Sequence, residues 1–241
     1  MILCIDSGNS RIKWALHDGR HWSANGALVQ ADAAALAELP RRFTPDKIML
    51  ANVAGPQSGE AIRQALAVWQ ARLVEVRSSA CAAGVRSHYQ KPQQLGVDRW
   101  SALIGARSLH PHPCLVVMAG TATTIDTLDA DGNFPGGLIL PGIDLMRRAL
   151  SRDTAALPLA EGHHQPYPTC TDDAIISGCL EAQAGAIERA FRRLAGQPRA
   201  CCLLSGGAAP LLAPLLGIPC RLIDNLVLEG LYQLARETDP A

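Results

Sequence analysis

Two stretches of the chain, ILCIDSGNSRIKWAL at residues 2–16 and CLVVMAGTATTIDTL at 114–128, follow one plan. Each is a strand of four or five apolar residues, a glycine-centred turn bearing small hydroxyl or amide residues, and a second strand. Such a duplication predicts two similar halves, each begun by a strand-turn-strand unit. The turn signal Asp131-Gly132-Asn133 leads into a third strand over 134–140. A third glycine site, Leu203-Leu204-Ser205-Gly206-Gly207-Ala208, follows a buried strand and opens a helix. Elsewhere short apolar runs alternate with longer amphipathic segments, the pattern of an α/β protein. The 241 residues suffice for two small domains, and the His110-Pro111-His112-Pro113 run places the boundary at 1–112 and 113–241.

The remaining elements follow from periodicity. Strands are predicted at 2–5, 48–53, 73–76 and 200–204, and helices at 99–109, 171–194 and 226–236. Ser58 can cap a helix in which Ile62, Leu66, Trp69 and Leu73 form one apolar stripe, read as core. Hydrophobic residues make up 48% and charged residues 18%, which excludes disorder for most of the chain. Lys plus Arg equals Asp plus Glu at 22 each, so no overall field draws a nucleic acid or an anionic membrane, and an anionic ligand must be gripped locally. With no apolar run of membrane length and Asp6 inside the first strand, the expectation is a cytoplasmic protein without a signal peptide. The 8 cysteines lack C-x-x-C spacing and read as reduced core thiols, and the 7 histidines show no ligand pattern, so a transition-metal enzyme is not expected.

Glycine lets a turn bring its backbone N–H groups against phosphate oxygens. The turn Asp6-Ser7-Gly8-Asn9-Ser10 adds a carboxylate able to orient Mg²⁺ or its waters, two hydroxyls, and Lys13, which alternation along the strand places beside Ser7, Asn9 and Arg11. A plain hairpin turn accounts for one copy equally well. The second copy, Gly120-Thr121-Ala122-Thr123-Thr124, favours two turns clasping a nucleotide triphosphate. Ser205-Gly206-Gly207 is either a tight strand-to-helix connection or a close approach to adenine or ribose. In Leu95-Gly96-Val97-Asp98-Arg99, Asp98 is either a helix cap or the carboxylate that accepts a nucleophile's proton in phosphoryl transfer.

Together, DSGNSRIK at 6–13, Tyr89, LGVDR at 95–99, AGTATTID at 119–126, FPGGLILPG at 134–142, TDDAIISG at 171–178, SGG at 205–207 and LEGL at 228–231 resemble type III pantothenate kinases, a family that includes the Bvg accessory factors. The resemblance runs in order along nearly the whole chain. It implies two ribonuclease-H-like halves of the acetate and sugar kinase/Hsc70/actin superfamily, with the nucleotide in the cleft between them, and a homodimer with pantothenate near the subunit interface. It implies ATP at Asp6, Ser7, Gly8, Asn9, Ser10, Arg11, Ile12 and Lys13, with Asp6 facing Mg²⁺ through phosphate or water and Thr121 beside Gly120 touching ATP. Asp98 resembles the family's general base. Tyr89, Gly96, Val97, Asp98, Arg99 and Thr171 would contact pantothenate.

One position departs from the pattern. Where the family carries an aspartate associated with a monovalent cation such as K⁺ or NH₄⁺, this chain has Met118, whose thioether is a poor ligand for a hard cation. The implied activity is ATP-dependent phosphorylation of pantothenate to 4′-phosphopantothenate, the first step towards coenzyme A. The rivals are a phosphohydrolase of the same fold, with water as acceptor, and a non-catalytic nucleotide-binding accessory protein.

Overall fold

In the computed structural model, which describes residues 1–237, the first strand-turn-strand unit forms as the text of the sequence suggests. The apolar β1 (Ile2–Ser7) pairs antiparallel with β2 (Arg11–His17) in a register running from Ile2 opposite His17 to Ser7 opposite Ile12. The Gly8 N–H donates to Arg11 O at 3.0 Å and closes the turn. β3 (Trp22–Val29) adds antiparallel to β2, while β4 (Lys47–Asn52) and β5 (Leu73–Glu75) add in parallel on the other side, giving the order β3-β2-β1-β4-β5. Leu3, Ile5, Ile12, Trp14, Ile48 and Leu50 form one buried cluster with Leu36, Ile62, Leu66 and Trp69. Burial of each such side chain contributes roughly 1.5–3 kcal/mol.

The helix α1 (Pro56–Ala65) corrects the expected cap. It starts after Gly55, whose φ of 94° breaks the preceding strand path, with proline at its first turn, so Ser58 lies inside the helix. Proline takes this position because its missing N–H would have no intrahelical partner there. The helix ends by Leu66, a 3₁₀ segment Ala67–Arg72 carries Trp69 into the core, and Leu73 begins β5 instead of extending the stripe.

Two short strands, β6 (Cys81–Ala82) and β7 (Val85–Ser87), precede α2 (Val97–Leu109). The second strand-turn-strand unit is β8 (Cys114–Ala119) with β9 (Ala122–Leu128), again antiparallel. The third strand expected over 134–140 is two strands. β10 (Asn133–Phe134) pairs in parallel with β7 in the small sheet β10-β7-β6, and β11 (Gly136–Pro141) pairs antiparallel with β9. Pro135, without an N–H, and Gly136, at φ 142°, divide them. α3 (Ile143–Asp153), α4 (Thr171–Phe191), β12 (Cys201–Ser205), the single turn α5 (Ala209–Leu212), β13 (Cys220–Leu222) and α6 (Leu226–Glu237) complete the described chain.

The second large sheet has the order β11-β9-β8-β12-β13, antiparallel across its first three strands and parallel thereafter. That is the first sheet's plan strand for strand. The duplication visible in two turns therefore extends over two five-stranded sheets. Leu115, Val117, Ile125, Ile175, Cys179, Ile187 and Leu204 fill the core of the second.

The chain divides into two compact units, one of Met1–Pro111 with Gly132–Pro135 and the segment from Asn225 onward, the other of His112–Asp131 and Gly136–Asp224. α6, placed by a simple cut at residue 112 in the second half, packs on α2 in the first unit. Positions 238–241 of the expected 113–241 half lie outside the described residues. All eight cysteines are free, and Cys4, Cys114, Cys179, Cys201 and Cys202 are buried as expected, but Cys81 and Cys170 are exposed.

Candidate active site

In the first unit, Asp6 lies in β1 directly opposite Lys13 of β2. Cross-strand partners project from the same face, so Lys13 stands with Asp6, and the expectation that it shares a side with Ser7 is corrected. The reason is the turn: antiparallel pairing across it matches an even position to an odd one. Burial pushes the Asp6 carboxyl up to about 7, the charge of Asp98 adds to the rise, and Lys13 opposes it. Two acids and one lysine thus meet at the ends of β1 and α2. Asp98 is the second residue of α2, and the helix cap is Gly96. A Cβ at Gly96 would lie 2.6 Å from Asp98 Oδ1, so glycine leaves the room into which this carboxylate folds. The Arg99 N–H donates to Asp98 Oδ1 at 2.8 Å.

The rest of the first turn divides by exposure. Asn9, Ser10 and Arg11 are exposed and Gly8 is half-buried, whereas Ser7 and Ile12 are wholly buried. Ile12 belongs to the core, and its backbone sits in the sheet between Ser7 and Leu28, so the expectation that it touches ATP has no open atom behind it. The Ser7 hydroxyl points inward, 2.8 Å from Ser58 Oγ, and accepts a hydrogen bond from Gln30 Nε2 at 3.2 Å. Gln30 and this use of Ser58 were not foreseen; they sit about 20 and 50 residues from the turn, and no local pattern ties them to it.

Tyr89 and Arg99 come together. Arg99 Nη1 donates to Tyr89 Oη at 2.9 Å, and the buried guanidinium lies 5.6 Å from the Tyr89 ring centre and 5.9 Å from that of Phe134. The two rings stack at 5.4 Å. Phe134, missed as a site residue, reaches this cluster because β10 leaves its expected strand to pair with β7. Val97 is core. A cavity of about 470 Å³ lined by Asn52, Arg77, Ser78, Gln94, Gly96 and Val97, among others, opens beside the start of α2.

In the second unit, the exposed Gly120 and Thr121 follow β8, and the Gly142 N–H donates to Thr121 O at 2.9 Å. Ser205, Gly206 and Gly207 follow β12, which runs parallel to β8 with Ser205 beside Met118. Gly206 has φ 105°, and a Cβ there would lie 2.3 Å from Ala119 O, to which Ala208 N–H donates at 3.1 Å. The two small-residue turns of this unit are therefore adjacent. Met118 is opposite Thr124, whose buried Oγ1 has no protein partner. Asp126 is fully buried against Gly137. Thr171 opens α4 and lines an apolar cavity of about 460 Å³ with Met146, Leu150, Leu157, Ile175 and Cys179, among others.

A five-stranded sheet order repeated in two units, with glycine-bearing turns at the strand ends, is the fold of the acetate and sugar kinase/Hsc70/actin superfamily. Solved structures agree: one from Sinorhizobium meliloti described as a 2-dehydro-3-deoxygalactonokinase covers 100% of both chains with a TM-score of 0.64 at 16% identity. One from Campylobacter jejuni described as a Baf family transcriptional activator covers 98% of both with a TM-score of 0.62 at 21% identity. The family model for type III pantothenate kinase matches residues 2–193. Proteins named type III pantothenate kinase from Dechloromonas aromatica (strain RCB) and Aromatoleum aromaticum are 57% and 55% identical over 98% of this chain and 99% and 98% of their own. The chain belongs to the type III pantothenate kinase family, which phosphorylates pantothenate in coenzyme A biosynthesis, with ATP as co-substrate.

Proposed function

We propose that Asp98 is the general base of this reaction, and the observation that carries the assignment is the Asp6–Asp98–Lys13 group. Asp98 accepts the proton of pantothenate's primary hydroxyl as that oxygen attacks the γ-phosphorus. The bond from the γ-phosphorus to the β–γ bridging oxygen breaks, and ADP leaves. Lys13 and the exposed residues Asn9, Ser10 and Arg11 of the turn stabilise the charge of the transferring group. Gly120, Thr121 and the Ser205-Gly206-Gly207 turn contact ATP from the second unit. Tyr89, Arg99 and the Gly96-Val97 backbone hold pantothenate, joined by Thr171.

The acidic pair fits Mg²⁺, since a half-buried carboxylate beside a second acid, with Lys13 opposing only part of their charge, supplies the hard oxygen that this cation takes. Asp6 would hold it through water or phosphate, and the cation would neutralise charge on the transferring phosphoryl group. The donors at Met118 do not fit K⁺ or NH₄⁺: a thioether stands between two neutral hydroxyl residues, Thr124 on β9 and Ser205 on β12, with no carboxylate in its place. The protein works in the cytoplasm as a homodimer, without nucleic acid or membrane. The second unit's exposed Leu138 and Ile139 on edge strand β11, and Leu145 on α3, support the dimer, and the absence of any described helix long and apolar enough to cross a membrane is consistent with the location.

The test is a coupled assay with ATP and Mg²⁺, with and without pantothenate. ADP formation that requires pantothenate supports the proposal, and phosphate release without it would return the hydrolase.

A further inference from the structure

We propose that Gln30 is a positioning residue for the ATP-phosphate turn, holding the turn at both ends through Ser7 and Ser10. The proposal rests on the assignment of that turn to ATP. The Gln30 N–H donates to Ser10 O at 3.2 Å, and its Nε2 donates to Ser7 Oγ at 3.2 Å and to Ser58 Oγ. Ser7 and Ser58 share a further hydrogen bond at 2.8 Å. Ser7 is also held through its carbonyl, which accepts from Val53 N–H at 3.0 Å. Ser7 is thus fixed from β4, α1 and the end of β3 together, and the Ser10 carbonyl is reached from Gln30.

Stability by itself does not account for an amide here. Gln30 Oε1 is buried without a protein partner, and an orphaned buried acceptor costs stability that an apolar side chain of the same length would avoid. What the side-chain amide adds is a fixed direction for the Ser7 hydroxyl that precedes Gly8, while the Ser10 carbonyl after Asn9 is held by the Gln30 backbone N–H, which Gln30→Met keeps. A turn held in its bound geometry before the ligand arrives loses less entropy on binding.

The experiment compares Gln30→Met, Ser58→Ala, Ser7→Ala and the double variant Ser7→Ala/Gln30→Met, with Lys13→Ala as a control on the turn. Steady-state kinetics vary ATP and pantothenate separately, and circular dichroism checks folding. Gln30→Met is expected to raise the KM for ATP about fivefold, the worth of one neutral hydrogen bond, with the KM for pantothenate and kcat within about twofold. On the Ser7→Ala background the same change should add less than about twofold, because the partner through which Gln30 acts is gone. An unchanged KM for ATP in both Gln30→Met and Ser58→Ala, or a uniform loss in all parameters, overturns the positioning role. If Lys13→Ala also leaves the KM for ATP unchanged, the assignment of the turn to ATP falls as well; if Lys13→Ala raises it, only the role of Gln30 falls. Should Gln30→Met fail to fold, Ser58→Ala carries the comparison.

Discussion

Asp98 is one of two acids at a single point, and the tasks proposed for the two differ. Asp98→Asn keeps the shape of the side chain and its approach to Arg99 N–H but cannot take a proton. Its kcat is expected to fall by roughly 10² or more while an ATP analogue still binds by calorimetric titration. Asp6 gives a pH signature. Its carboxyl is raised from 3.8 to about 7, so the folded protein binds more protons than the unfolded chain between those values. This group's contribution to stability is complete below pH 3.8 and is lost as pH rises through about 7. Without ligands, Asp6→Asn should therefore melt above the parent at pH 8, and scanning calorimetry should show the difference closing towards pH 4. Met118 makes a third case. In potassium-free buffer balanced with a bulky organic cation, added K⁺ or NH₄⁺ should leave activity flat. Tenfold activation, about 1.4 kcal/mol of transition-state stabilisation, would show that other oxygens complete a cation site, with Asp126 the first to replace.

Among the elements, the α2–α6 pair is the most exacting. A Cβ on Gly230 would lie 1.7 Å from Ser101 O, and one on Gly105 would lie 2.3 Å from Leu226 O. The helices cross with their backbones nearly in contact, so Gly230→Ala must push them apart. Overpacking of this kind costs about 1–3 kcal/mol, to be read as a lower urea midpoint at unchanged slope. Little of this pairing was legible beforehand, because glycines 125 residues apart in sequence give no local signal. The strand-turn-strand units were legible because everything that forms them lies within 15 residues. β3 escaped notice for the opposite reason: WSANGALV is too polar and small to resemble a strand, and β2 pairing holds it in place. The split at Pro135 was written in the sequence as a proline inside an apolar run, a signal that demotes a strand. Of the candidate site, the turns and the acids were legible; where Gln30 and Phe134 fall beside them depends on strand pairings that no spacing announces.

At the scale of the molecule, two units repeat one sheet plan but differ at their margins. In the second unit the edge strand β11 ends in exposed apolar residues, which an isolated surface does not favour. Sedimentation should accordingly give twice the chain mass, and Ile139→Glu with Leu145→Glu should shift it to the single-chain value. A stable dimer in the double variant would separate self-association from this face. The position of α6 has a further consequence for how the protein is made. Synthesis runs from the first residue to the last, and domains generally fold as they emerge. Every residue of the second unit has been made once Asp224 is added, while the first unit, begun earlier, still lacks the helix that covers α2. The half that starts first is therefore completed after the second, and the face of α2 around Gly105 stays uncovered until α6 leaves the ribosome.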